Sequence, residues 1–200
     1  MHHGDLPSGL SFSDSVAIDT EAQGLNPMRD RLCLVQLSAG DKICHLVQIR
    51  AGEYDAPNLK ELLVNPNVTK IFHFARFDMA MLKQYLNVDV NPVFCTKIAS
   101  KLVRTYTEKH GLTELTRELL RIEISKEQQS SDWASNELSD EQLSYAATDV
   151  LYLHEIRDAL LNMLKREGRL ALAHDCFNYL STRVDLDLSG WKEVDIFAHS

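Results

Sequence analysis

The chain has 200 residues, of which 44% are hydrophobic and 25% are charged, and its formal net charge is −8. This composition predicts one globular domain with a substantial core, and no stretch is apolar enough to span a bilayer. The net negative charge argues against a protein that holds long nucleic acid on a broad basic surface, because the affinity of such a surface increases with the number of phosphates that Lys and Arg neutralise. A short anionic substrate, or one held through metal ions, stays possible.

The cysteines and the first residues favour a cytoplasmic protein. Cys33, Cys44, Cys95 and Cys176 form no C-x-x-C pair, and two of them lie inside apolar runs, as small buried hydrophobic residues usually do. The chain also begins without the basic and apolar regions of a signal peptide. Both features predict a reduced compartment.

The first third of the sequence predicts strands. Residues 16–18 form a short apolar run before Asp19, residues 32–37 form a second run, and residues 43–49 form a third after a turn at Gly40-Asp41. After residue 49, the sequence predicts helices and strands in alternation. The next predicted elements are helices near 59–63 and 78–86, strands at 69–72 and 93–95, and helical patterns over 112–119 and 143–164. A strand meander followed by β-α units predicts an α/β fold with a mixed sheet covered by helices.

Two acidic residues end the first predicted strand. Asp19 and Glu21 flank Thr20, so their side chains project from one face of the strand. Two negative charges at so short a distance either raise the pKa of a carboxyl group or require a cation between them. Mg²⁺ and Mn²⁺ prefer such oxygen ligands. Taken alone, however, a D-x-E motif is more often a pair of solvated acids.

Two further acidic residues fall on predicted helices, one in the first turn of a helix and one within a helix later in the chain. Asp78 falls in the first turn of a predicted helix, where the helix dipole alone would explain it. Tyr145 and Asp149 are four residues apart and therefore share a helical face beside an apolar stripe. A hydrogen-bonded Tyr-Asp pair is the simplest explanation of that spacing.

The order of these motifs resembles the DEDDy family of 3′-to-5′ exonucleases, and within it ribonuclease D. The shared pattern is D-x-E on a strand, F-D after a later strand, and Y-x-x-x-D on a late helix. Residues 129–133, 138–143 and 145–153 are similar to the third exonuclease motif of that family and its neighbours. The resemblance covers residues 10–165 and implies an RNase H-like mixed sheet flanked by helices.

The resemblance also implies a two-metal site. Its ligands would be Asp19, Glu21, Asp78 and Asp149, which hold two Mg²⁺ or Mn²⁺ ions roughly 3.5 to 4 Å apart. Asp19 would bridge the ions, Glu21 and Asp149 would serve the ion on the side of the nucleophile, and Asp78 would serve the other. Tyr145 would orient the attacking water, because a phenol with a free pKa near 10 is a poor base at neutral pH.

Substrate contacts are predicted on weaker grounds. The resemblance implies that Leu25 is a wedge between two bases, although core packing is the default for a leucine. Thr20, Gln36 and His73 are further candidates near the acids, and His73 is also explained as a buried histidine. The residues that could meet a phosphate are Lys97, Lys101, Arg104, Thr105, Tyr106, Lys109 and His110. A solvated helix face explains this basic stretch equally well.

The chain departs from the family in two respects. Phe74 stands where many members place Asn, four residues before Asp78, so no polar role can be assigned there. Long ribonuclease D proteins continue into helical nucleic-acid-binding domains, whereas this chain stops at Ser200. Residues 27–33, 94–102 and 190–200 resemble a short form of the family that acts on dinucleotides, which implies a homo-oligomeric ring, an octamer.

The sequence therefore predicts an exonuclease domain over residues 1–183 and a tail over 184–200 that docks on a neighbouring subunit or folds back on its own chain. The predicted function is metal-dependent 3′-5′ hydrolysis of short oligonucleotides, RNA or DNA, and dinucleotides especially. A trimming exonuclease on longer strands and a non-catalytic nucleic-acid-binding module are the alternatives.

Overall fold

The computed structural model describes residues 1–124, 128 and 131–199. Its strands are β1 (His2–His3), β2 (Ser15–Ala22), β3 (Leu32–Ser38), β4 (His45–Gln48), β5 (Thr69–Phe72) and β6 (Val93–Cys95). Its helices are α1 (Pro57–Val64), α2 (Ala75–Leu86), α3 (Thr96–Val103), α4 (Leu112–Leu115), α5 (Asp140–Leu151), α6 (Leu153–Arg166) and α7 (Leu170–Leu186). Two π-helical turns, Thr116–Leu120 and Asp187–Trp191, continue α4 and α7.

The strands form one mixed sheet with the order β1-β4-β3-β2-β5-β6. β2 runs antiparallel to β3 and parallel to β5, which in turn is parallel to β6. All of β3 is buried, and its side chains divide between two hydrophobic clusters, as expected for a central strand covered on both faces. The predicted mixed sheet flanked by helices is confirmed.

Two elements carry the later acids to the sheet. α2 follows β5 directly and begins at Ala75, three residues before the predicted start, so Asp78 lies in its first turn. α5 begins with a capping box, in which the Ser139 hydroxyl accepts from the Gln142 amide while the Gln142 side chain accepts from the Ser139 amide. α5 packs on β2 and β3, and this contact brings its polar face to the end of β2.

The helix predicted over 143–164 is two helices. The backbone N–H of Tyr152 bonds the Val150 carbonyl instead of the one four residues earlier, so α5 ends there and α6 begins at Leu153. The four cysteines are free thiols. The reduced compartment and the cytoplasmic location stay predictions. None of the helices in the described ranges combines the length and apolar character of a membrane span.

Candidate active site

Three carboxylates meet where β2 ends. Asp19 and Glu21 project from one face of β2, and Asp149 reaches the same place from α5. One oxygen from each lies within 4.8 Å of the others. The Gln36 amide, on the neighbouring strand β3, is 3.4 Å from Asp19 Oδ2 and donates toward it. Three oxygen ligands at this spacing fit a hard divalent cation.

Asp78 lines the same cavity as these three carboxylates and is carried by a third element, α2. Its side chain is buried in the first turn of α2, and the Thr20 hydroxyl donates to Asp78 Oδ1 over 2.7 Å. Thr20 lines the cavity, but its only proton goes to Asp78, and a contact with the substrate stays a prediction. Thr20 therefore ties β2 to α2 and fixes the position of the fourth carboxylate.

The carboxylates disfavour their own ionisation in the absence of a cation. Burial, and then the neighbouring acids, raises the pKa of Asp19 well above its ordinary value and that of Glu21 to about 9. Burial raises the pKa of Asp78 and of Asp149 to about 7, although each accepts a hydrogen bond that lowers it. A divalent cation removes this penalty, so the donor set fits the metal ions that the sequence predicts.

Tyr145 lies one helical turn before Asp149, and its hydroxyl interacts with that carboxylate. Burial, together with the negative charges of the neighbouring acids, raises the pKa of the phenol above its ordinary value. The hydroxyl thus stays protonated at neutral pH, which favours a positioning role over that of a base. Its ring lies 6.1 Å from the buried ring of Trp133. Gln129 and Ser130, from the same predicted motif, lie outside the described residues.

The acids and Tyr145 line a cavity of about 590 Å³. Leu25, predicted as a wedge, lies on its wall and is 78% exposed, so core packing does not explain it. Met28, Arg76 and Thr113, which the sequence did not single out, also line it, as does Phe74, for which the sequence predicted no polar role. The cavity is wide enough for a small nucleotide ligand.

His73 lines this cavity and is hydrogen-bonded to the start of α3. Its Nδ1 lies 2.9 Å from the hydroxyl oxygen of Thr96, which is also 3.1 Å from the Phe72 carbonyl. Burial and the Lys97 charge lower the pKa of His73 to about 3, so the ring is neutral. A neutral ring does not supply a cation for a phosphate.

The predicted basic stretch is only partly at the site. Lys97, in the first turn of α3, lines the cavity, whereas Lys101, Arg104, Thr105, Tyr106, Lys109 and His110 are not among the described residues that line it. Arg104 is fully buried, donates to the Lys109 carbonyl over 2.8 Å and pairs with Glu118. His110 is hydrogen-bonded to Ser100 over 2.8 Å. These contacts within the chain give both residues a structural role at the end of α3, and their contact with a phosphate stays a prediction.

Part of the predicted tail forms a wall of the same cavity. Arg76 Nε is 2.5 Å from Asp187 Oδ2, and its Nη2 donates to the Lys192 carbonyl over 2.8 Å. Asp187 also pairs with Arg183 over 2.7 Å. The chain therefore folds back on itself between residues 187 and 193, while α7 extends past the predicted boundary at 183 to Leu186. No local sequence signal links Arg76 to a residue so distant in the chain.

Comparisons with known proteins agree with this geometry. Residues 5–165 match the family model described as 3′-5′ exonuclease. Ribonuclease D of Gluconacetobacter diazotrophicus is 36% identical over 155 residues, which are 78% of this chain and 39% of that protein. The chain thus spans well under half the length of this curated relative.

Solved structures also match this chain. Brucella melitensis NrnC with bound Mg²⁺ is 56% identical, with a TM-score of 0.96, and the match covers 100% of this chain and 98% of that one. The same protein bound to pGG is 56% identical, with a TM-score of 0.96 and coverage of 100% and 97%. Escherichia coli RNase D is 25% identical, with a TM-score of 0.75 and coverage of 86% and 45%. The predicted resemblance to short ribonuclease D-like forms such as nanoRNase C, and the RNase H-like fold, are confirmed.

Proposed function

Since the chain belongs to the 3′-5′ exonuclease family, we propose that it hydrolyses short oligonucleotides, dinucleotides above all, to nucleoside 5′-monophosphates. The observation that carries this proposal is that Asp19, Glu21, Asp78, Asp149 and Tyr145 line one cavity. The similarity to NrnC, which has been solved with Mg²⁺ and with pGG, supports a metal-dependent activity on short substrates. We also propose that the enzyme uses either Mg²⁺ or Mn²⁺ and that two ions bind in each active site.

The donor set divides between two cation positions. Asp19, Glu21 and Asp149 would hold one ion, and Asp78 would hold a second together with Asp19. When bound, the ions would supply the charge that acidifies water and stabilises the leaving 3′ oxygen. Thr20 keeps Asp78 in position, and Tyr145 lies beside Asp149, where its hydroxyl would orient the attacking water.

Substrate length follows from charge and cavity size. With a net charge of −8, the chain gains little from the additional phosphates of a long strand. Affinity must then come from contacts inside the cavity, where Leu25 presents an exposed apolar side chain. A dinucleotide offers one scissile phosphate to the metals and two bases to such contacts.

We therefore expect a 5′-phosphorylated dinucleotide to be cleaved with a higher kcat/KM than a seven-unit RNA or DNA of the same composition. The measurement uses labelled oligonucleotides of two to ten units with Mg²⁺, Mn²⁺ or EDTA. Leu25→Ala should raise KM for the dinucleotide about tenfold, equivalent to roughly 1.4 kcal/mol. Leu172→Ala, which removes an exposed leucine outside the cavity, is the matched control. Equal kcat/KM for two and seven units would favour the trimming exonuclease instead.

We also propose that the end of the tail docks on a neighbouring copy of this chain. Trp191, Val194, Ile196 and Phe197 are between 46% and 76% exposed although Arg183 holds the preceding backbone in place. Four large apolar side chains in one short segment are typical of an interface. Docking of this segment in each subunit would suit the predicted homo-oligomer, an octamer.

Removal of residues 194–200 should lower the oligomer mass without opening the cavity wall, because the contacts of Arg76 with Asp187 and Lys192 are kept. Light scattering of the full chain and of this truncation measures the mass. Leu172→Ser, on the exposed side of α7, controls for the loss of a surface apolar group. An unchanged mass in the truncated protein would show that the segment has no part in assembly.

A further inference from the structure

Phe74 has a backbone conformation that its side chain disfavours. It joins β5 to α2 with φ 69° and ψ 46°, in the left-handed region. There a Cβ approaches the following carbonyl, so glycine or asparagine is the usual residue. The other described non-glycine residues with positive φ are Lys42, Asn87 and Arg121, none of them aromatic. This left-handed turn lets α2 start directly after β5 and places Asp78 at the acidic cluster.

Burial of the Phe74 ring does not offset the strain of its left-handed backbone. Phe74 is 44% exposed and lines the cavity that contains the acids. An aromatic ring stabilises a fold mainly through the apolar area it removes from water, and much of this ring remains in contact with solvent. Folding alone therefore does not explain an aromatic residue here. Strained residues of this kind cluster at ligand-binding positions.

A lysine ammonium group lies over the face of the Phe74 ring. Lys97 Nζ lies 4.5 Å from the centroid of the Phe74 ring, and Lys97 lines the same cavity. Such a contact orients the ring, and it places a positive charge beside an aromatic surface. A nucleotide matches this pair, because its base stacks on aromatic surfaces and its phosphate attracts an ammonium group.

We infer that a nucleobase of the substrate stacks on Phe74 and that the strained backbone is retained for this contact. The inference rests on the proposed function and adds to it a binding residue that the family pattern, with its Asn, does not contain. Stacking tolerates any base, so Phe74 would contribute affinity without selecting a sequence.

A substitution series tests this contact. Phe74→Tyr keeps an aromatic face and should leave KM for a 5′-phosphorylated dinucleotide within twofold of the wild-type value. Phe74→Leu keeps apolar bulk without the π face, and Phe74→Gly also relieves the backbone. KM should rise about fivefold or more in the leucine variant and about tenfold or more in the glycine variant, whereas kcat changes less than threefold. The melting temperature of Phe74→Gly should not fall.

Lys42→Gly is the matched control. It relieves the same left-handed backbone at an exposed turn outside the cavity, so KM should not change. A wild-type KM in Phe74→Leu, or a tyrosine variant as impaired as the leucine variant, would overturn the stacking contact. The wild-type assay separates the two proposals: absence of any hydrolysis with Mn²⁺ would overturn the proposed function itself, whatever Phe74 does.

Discussion

Replacing any one of the four cavity carboxylates by its amide is expected to lower phosphodiester hydrolysis by a factor of at least about 10³. Each carboxylate would supply an oxygen ligand in the proposed site, and metal ions at such sites contribute several kcal/mol of transition-state stabilisation, where 1.36 kcal/mol is tenfold in rate. The variants are Asp19→Asn, Glu21→Gln, Asp78→Asn and Asp149→Asn. Initial rates on a labelled dinucleotide with Mn²⁺ measure the loss. A wild-type rate in any of them would contradict the assignment of that ligand.

The same substitutions should stabilise the metal-free protein at high pH. The carboxyl groups have raised pKa values in the folded state, so folding favours their protonated form. Their contribution to stability is present below their ordinary pKa near 4, and it is lost as the pH rises through about 7 for Asp78 and Asp149 and about 9 for Glu21. The melting temperature in EDTA should therefore fall between pH 5 and pH 9.

Thermal unfolding in EDTA across that range, with and without added Mn²⁺, measures this dependence. Each amide variant should flatten the fall, and Mn²⁺ should raise the melting temperature of the wild type more at pH 8 than at pH 5. Glu53→Gln, an exposed glutamate outside the cavity, controls for the loss of one negative charge. Metal-dependent stabilisation in a wild type that hydrolyses nothing would favour the non-catalytic binding module.

The periodicity of the sequence was sufficient to predict most strands of the sheet. It also predicted which acidic side chains share a face of β2 or of α5. The alternation of Asp19, Thr20 and Glu21 and the four-residue spacing of Tyr145 and Asp149 each place side chains on one face, because strand and helix geometry is local. β3 was predictable for the same reason, since a strand covered on both faces is a continuous apolar run. β1, with two residues, is too short to have a pattern of its own.

What the sequence did not predict depends on contacts between distant segments. A basic residue on a helix is usually exposed, yet Arg104 is enclosed by a pocket that includes Ser100, Lys109 and Glu118. The wall around Arg76 and Asp187 likewise joins residues that no local pattern relates. The strain at Phe74 could have been suspected from its replacement of the usual asparagine, which adopts the left-handed conformation readily, but the φ angle itself is visible only in the structure.

Tyr145→Phe should lower the rate of hydrolysis by about 10² to 10³ while the affinity for Mn²⁺ stays unchanged, because a positioned hydroxyl contributes this much and the ring is kept. The phenyl ring of this variant can still pack beside Trp133, and Asp149 remains a carboxylate. Single-turnover rates give the chemical step, and calorimetric titration gives the metal affinity. Tyr152→Phe, at the end of the same helix and outside the cavity lining, is the matched control.

The pH dependence of the remaining activity separates positioning from base catalysis. The pKa of Tyr145 is raised by burial and by Asp149, so the phenolate is scarce at neutral pH. A hydroxyl that only orients water leaves the shape of the pH–rate profile unchanged when it is removed, and the phenylalanine variant should show a profile parallel to that of the wild type at a lower rate. A base would instead give the wild type an increase toward high pH that the variant lacks. If metal affinity falls in step with rate, the Tyr145 hydroxyl acts by holding Asp149 in its ligating position.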